Sequence, residues 1–389
     1  MSVTSRSLAI VGVLIPFLMS AYCVFSITYL FPEIATAMHV SISALSFAVT
    51  LSFIGGAIGG VVVGMLADAY GRRVGLAISI VLFSVFTMLT GLASNLPELY
   101  ATWFIVGFGV NSENGITYPV IAENWPRGRG LMGGVVQGLY FIGLMIDAAV
   151  TSLIPQWRLA LITIGASSLV LSLPWVLIIP ETVRRVGITG IKYGELFSRD
   201  YLLITIFGTI LVASAFLLTV PLVSLAPTYL RIIGAKPLGL WLVALPIIGA
   251  VAYGLAGYLS DVFGRDRTLI ALSIIAVVAS ALLITTSSII TLRYIIPYSM
   301  ALAYYSSSIF AYLGIWMSEL YPTRVRATAS NFVFTLGRIL GGVGPTLVAM
   351  TFIENLGFGI GVVMIICSVL ALISTLILRS AARSIALRQ

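Results

Sequence analysis

The sequence predicts an all-α integral membrane protein with 12 transmembrane helices in two pseudo-symmetric six-helix bundles and both termini cytoplasmic. Three observations predict it. Of 389 residues, 60% are hydrophobic and only 9% charged, where a soluble protein carries about a quarter charged and needs them to clothe a wet surface. Lys and Arg fall mostly on one side of the expected membrane. Two short charged motifs recur half a chain apart.

The spans follow in order. A helix crossing a ~30 Å hydrocarbon layer needs about 20 apolar residues. Runs of about that length, broken by charge or turn residues, cover 8–31, 41–67, 74–94, 97–121, 130–154 and 159–179, then 201–230, 237–259, 268–290, 293–317, 326–353 and 356–378. The first is long for a signal-peptide core and lacks a small-residue cleavage site, so it reads as the first span. The longest polar interruption, Glu181 to Asp200, lies near the middle of the chain. It divides an N-terminal bundle at 1–182 from a C-terminal bundle at 201–389, joined by a cytoplasmic linker at 183–200.

Cytoplasmic loops of membrane proteins are enriched in Lys and Arg. With the N-terminus inside, 16 of the 21 basic residues fall in cytoplasmic segments. Arg158, Arg231, Lys236 and Arg293 fall outside, and Arg338 lies within a span. One missed span would scramble that alternation, so the count of 12 has support independent of hydropathy.

The halves repeat. Gly64-Met-Leu-Ala-Asp68-Ala-Tyr-Gly71-Arg72 recurs as Gly257-Tyr-Leu-Ser-Asp261-Val-Phe-Gly264-Arg265, 193 positions later. Glu123-Asn-Trp-Pro126 recurs as Glu319-Leu-Tyr-Pro322, 196 positions later. Two landmarks at matching depth in each half indicate parallel repeats of one bundle.

Other classes of function are excluded by what is missing. The net charge of +8 reflects topology, and no nucleic-acid partner is expected. Cys23 and Cys367 both lie in apolar runs as packing residues, and His39 is the single histidine. Neither a metal nor any other cofactor is expected. A membrane enzyme would need a nucleophile–base pair for which the sequence offers little. No P-loop is present, so ATP does not drive the protein directly.

The motif from Gly64 to Arg73, with its partner from Gly257 to Arg265, resembles the loop signature of the major facilitator superfamily. Gly107-Phe-Gly109 with Glu113, then Glu123-x-x-Pro126-x-x-Arg129, resembles the metabolite–proton symporters. Trp157-Arg158, Pro180-Glu181-Thr182 and Leu225-Ala-Pro227-Thr228-Tyr229-Leu230 resemble the same group and the sugar porters. Glu319 to Thr328, with Gly337-Arg338 and Gly341-Gly342, resembles carriers of aromatic acids, sialate and other organic anions. Two positions depart from that pattern. Ser20-Ala21-Tyr22-Cys23 supplies no carboxylate where many relatives have an aspartate in span one, and Trp103 stands where span four usually has arginine.

The resemblance implies the major facilitator fold and a secondary active transporter of the plasma membrane, functional as a monomer. It would move a small organic anion by alternating access, with protons. A neutral sugar or polyol porter is the alternative, and a drug efflux antiporter a weaker one. The rim charges Asp68, Arg72, Asp261 and Arg265, with Glu123, Arg129, Glu319 and Arg326, would form a gating network or serve simply as topological anchors.

Charges inside the bilayer cost about 3 kcal/mol each at its centre, so those retained face a cavity or a partner. At 1.5 Å per residue, Glu113 lies ~15 Å from the inner edge, Arg338 ~18 Å and Asp147 ~27 Å. Thr328, Asn331, Thr335, Arg338 and Gly342 share one face of span eleven, and Gln137, Tyr140, Asp147 and Thr151 one face of span five. Tyr22 adds an aromatic group from span one. Arg338, Asn331, Tyr22, Tyr140 and Gln137 are thus the candidate substrate-binding residues. A guanidinium matches a carboxylate bidentately, although Arg338 is equally placed to be a structural tie. Glu113 and Asp147 are the candidate proton-coupling residues, since buried carboxylates take up protons more readily than exposed ones.

Overall fold

The described parts of the apolar runs fold almost entirely as helices. The structure is a computed structural model that describes residues 3–124, 128–178, 193–198, 201–322 and 325–386. Through the first half run α1 (Val3–Tyr29), α2 (Phe31–Met38), α3 (Ile42–Tyr70), α4 (Arg72–Thr90), α5 (Leu96–Asn124), α6 (Arg129–Leu153) and α7 (Trp157–Ile178). The short α8 (Tyr193–Leu196) precedes α9 (Leu202–Ile232), α10 (Leu238–Phe263), α11 (Arg265–Ser288), α12 (Ile296–Ser306), α13 (Leu313–Glu319), α14 (Arg326–Gly342), α15 (Gly344–Thr351) and α16 (Leu356–Ala386).

Among the described residues, ten helical stretches are long and apolar enough to cross a membrane. Two expected spans are not among them. Span four corresponds to the 29-residue α5. Span ten, expected as one run over 293–317, is in pieces: 3-10 turns cover Ile290–Ile295 and Ser307–Phe310, with α12 between them and α13 after. The local reason for the second break is the run Ser306-Ser307-Ser308. Ser306 Oγ donates to the Ala303 carbonyl at 2.9 Å and Ser307 Oγ to the Tyr304 carbonyl at 2.7 Å. Such side-chain bonds to carbonyls three residues back compete with the helix ladder. In span eleven, α14 and α15 part at Val343, with Pro345 in the first turn of α15, since proline has no N–H to continue the ladder of the preceding helix.

The chain divides into two compact units. One comprises Met1–Arg127, Leu139–Gly187 and Leu230–Ile247. Within it α3 and α5 run backbone to backbone. A Cβ at Gly59 would stand 2.1 Å from the Phe108 carbonyl oxygen, and one at Gly107 1.9 Å from that of Ser52. Only small residues permit that approach. Trp103, at the position where relatives carry arginine, is fully buried.

The other unit comprises Gly128–Gly138, Ile188–Tyr229 and Ile248–Gln389. Here the start of α6 lies on α10. A Cβ at Gly257 would meet the Gly130 carbonyl oxygen at 2.3 Å, and one at Gly134 that of Tyr253 at 2.2 Å. The sequence repeat is also a repeat of backbone. Gly71 at φ 113°, ψ 149° and Gly264 at φ 96°, ψ 150° each turn the chain in a conformation that suits glycine, and each precedes a helix starting at the motif arginine.

Candidate functional site

The second copy of the motif carries a connected charge network. Asp261, on the last turn of α10, accepts from the backbone N–H groups of Gly130 at 2.9 Å and Leu131 at 2.8 Å, the first turn of α6. A carboxylate there satisfies orphan helix donors and complements the helix dipole. Arg265 Nη1 donates to Asp261 Oδ1 at 2.7 Å and to Ser260 Oγ at 2.7 Å. Its Nε and Nη2 donate to the two Glu319 oxygens at 3.2 Å each, a forked pair. The Arg265 carbonyl accepts from the Tyr312 hydroxyl at 2.9 Å. Three of the expected rim charges are therefore joined to each other and to a helix end.

The rest of that set is arranged differently. Arg326 Nε donates to the Tyr321 carbonyl at 3.4 Å, and the Tyr321 hydroxyl bonds Thr205 at 3.0 Å. Burial holds the Tyr321 phenol, which lies between the expected spans, above its ordinary titration range. Arg129 is exposed at the head of α6, and Arg72 begins α4. The side chains of Asp68, Glu113 and Glu123 lie outside the described residues.

Arg338 sits in the middle of α14, half-buried, with its guanidinium carbon 5.8 Å from the centre of the Phe216 ring. Phe216 meets Phe310 edge-on with centroids 4.6 Å apart, and Phe310 meets Phe334 at 6.1 Å. Phe310 ends the 3-10 turn that interrupts span ten. A cation beside the first of three linked rings makes a surface with one polar and one aromatic side. These phenylalanines were not legible as site residues, because in sequence they are ordinary members of apolar runs. On the same helix Asn331 is exposed, and Gln137 on α6 is half-buried.

In the other unit Tyr22, Tyr140 and Asp147 come together. The Tyr140 ring meets Phe17 at 5.1 Å and Phe25 at 6.2 Å, both on α1. Gly143 brings α6 onto α1, where a Cβ would stand 2.8 Å from the Tyr22 backbone nitrogen. Asp147, one turn further, is fully buried. The Tyr22 hydroxyl pairs with Ser167 on α7 and lies within the field of Asp147. A further ion pair joins Arg231, in the last turn of α9, to Glu33, in the first turn of α2. At 198 positions apart, nothing in the sequence links the two.

The family model for the Major Facilitator Superfamily matches residues 13–345, and the chain belongs to that superfamily. It is thus a multi-pass membrane transporter of small molecules and not an enzyme. Similar proteins include a metabolite transport protein of Haemophilus influenzae, 26% identical over 87% of this chain and 88% of the relative. The gentisate transporter of Corynebacterium glutamicum is 27% identical over 85% and 78%. Among solved structures, the proton:xylose symporter XylE shares the fold, with a TM-score of 0.75 at 18% identity over 97% of this chain and 95% of that one.

Proposed function

We propose that the protein carries a small organic anion across the plasma membrane by alternating access, in symport with protons. The observation that carries this reading is Arg338, a fixed positive charge in the middle of an apolar span, beside Phe216, the first ring of the Phe216–Phe310–Phe334 series. Its fork would receive a carboxylate bidentately, and the rings would take the apolar body of the solute. Asn331, Gln137, Tyr22 and Tyr140 are the further contacts we assign to the solute. The likeness to a gentisate transporter, named for a carboxylic acid, supports the acid over a neutral sugar.

In this reading there are 12 spans in two bundles, 1–182 and 201–389, joined by the 183–200 linker, with both ends cytoplasmic. The protein works as a monomer. Asp261, Arg265 and Glu319, with Arg326 and Arg129, form a latch made in one state and broken in the other, which alternating access requires. Asp68, Arg72 and Glu123 form its counterpart in the first repeat. Glu113 and Asp147 are the carboxylates available for the proton.

A thermal-shift panel on the purified protein tests the solute class, with gentisate, nicotinate and benzoate set against xylose and sorbitol. Ligands that bind the native state raise its stability by mass action. Stabilisation by acids alone is expected. Stabilisation by the neutral compounds alone would replace this reading with that of a sugar or polyol porter.

A further inference from the structure

Asp147 is the least accommodated charge-bearing group among the described residues. Its residue is 0% exposed, and neither carboxylate oxygen has a hydrogen-bond partner. The nearby Thr151 hydroxyl is committed elsewhere, donating at 2.7 Å to the Asp147 backbone carbonyl. Across the contact at Gly143, α1 presents Tyr22 and Cys23, the titratable groups on that side. Tyr22 pairs with Ser167, and Cys23 donates to Ser168 at 3.1 Å, both on α7. No described Lys or Arg stands as a partner to the carboxylate.

An ionised carboxylate in such a place has lost water, counter-charge and donors together. The penalty is on the order of several kcal/mol. The neutral acid meets far less opposition, because it needs only an ordinary hydrogen bond. A hard metal cation would also neutralise the charge, but it takes about six or more oxygen ligands. The described residues contain no group of His, Cys, Asp or Glu suited to a metal. A proton is the cation that fits.

We propose that Asp147 is where the coupling proton binds, that it holds this proton in the packing seen here, and that Tyr22 is positioned to donate to the carboxylate once the proton leaves. What the proton drives rests on the transport reading above, but its place does not. Release then requires water to reach the contact between α1, α6 and α7, which ties the proton to a change in their packing. Tyr22 is a positioning residue in this scheme, since its hydroxyl holds the carboxylate and takes no proton from the solute.

Infrared difference spectra between acidic and alkaline buffer test this without any solute. In the wild-type protein a protonated-carboxyl C=O band is expected, shifted by carbon-13 labelling of aspartate, absent in Asp147→Asn and displaced in frequency in Tyr22→Phe. Should Asp147→Asn fail to fold, the labelled wild type and Tyr22→Phe carry the test together. Absence of an aspartate band in the wild type, or its persistence in Asp147→Asn, overturns the proposal. In proteoliposomes with gentisate as probe, Asp147→Asn is expected to keep exchange and lose accumulation driven by a pH gradient. A variant that still accumulates gentisate on that gradient also overturns it. Failure of the wild type to carry gentisate at all bears on the solute reading instead, and the spectra then decide for Asp147.

Discussion

Arg338 and Asp261 are both charged groups set against a helix, yet they call for different experiments. If Arg338 receives a carboxylate, Arg338→Lys keeps the charge and loses the fork. A charge-assisted hydrogen bond contributes about 1.5–3 kcal/mol, so acid affinity should fall about tenfold or more, read as a raised half-saturation for uptake. Unchanged affinity for every acid would make Arg338 a structural tie. Asp261→Asn, by contrast, weakens the acceptor for two backbone N–H groups of α6 and the partner of Arg265. Transport should slow while apparent affinity for the solute stays the same. A changed solute preference would remove Asp261 from the latch. The motif spacing made Asp261, Arg265 and Glu319 legible, because a repeated loop places like charges at like positions. The pair of Glu33 and Arg231 was not legible. Each charge suits the dipole of its own helix end, so local pattern accounts for both residues without revealing that they meet.

At the scale of the element, helix existence was readable and helix interruption was not. Apolar length decides that a segment crosses, but the three serines at 306–308 sit unobtrusively in a window that is apolar on average. The hydroxyls of Ser306 and Ser307 find carbonyls three residues back only once the turn has formed. Close helix contacts were half legible. Glycine pairs such as Gly55-Gly56 and Gly59-Gly60 advertise a thin face, but their partner helix is a matter of tertiary packing. The contact of α6 with α10 shows how strict such a face is. A Cβ at Gly257 would press on the backbone oxygen of Gly130 and not on a side chain able to move. Gly257→Val should therefore force the two helices apart at a cost of about 1–3 kcal/mol, seen as a lower unfolding temperature in detergent. A variant of wild-type stability would mean that α6 and α10 do not meet at this glycine.

For the whole molecule, the orientation is a consequence of charge placement that hydropathy alone does not supply. In the proposed topology the positive-inside asymmetry gives an even number of crossings, with both tails on the basic side. Among the described residues ten helical stretches satisfy length and hydropathy. In that proposed topology the other two crossings are α5 and the broken series of α12 and α13. Cysteine labelling separates these possibilities cleanly, because Cys23 and Cys367 are both buried and leave little background. Reporters at Ser2, at Gln389 and at the exposed Ala37 on α2 sample the two tails and what the proposed topology makes the first outer loop. With an impermeant maleimide on intact cells, Ala37→Cys should label while Ser2→Cys and Gln389→Cys remain protected until the membrane is opened. If one tail labels and the other does not, the number of crossings is odd, and either α5 or the serine-broken segment fails to cross. If both tails label and Ala37→Cys is protected, the count stands but the charge rule has been read upside down. The Asp261–Arg265–Glu319 network would then face outward and close the opposite mouth of the pathway.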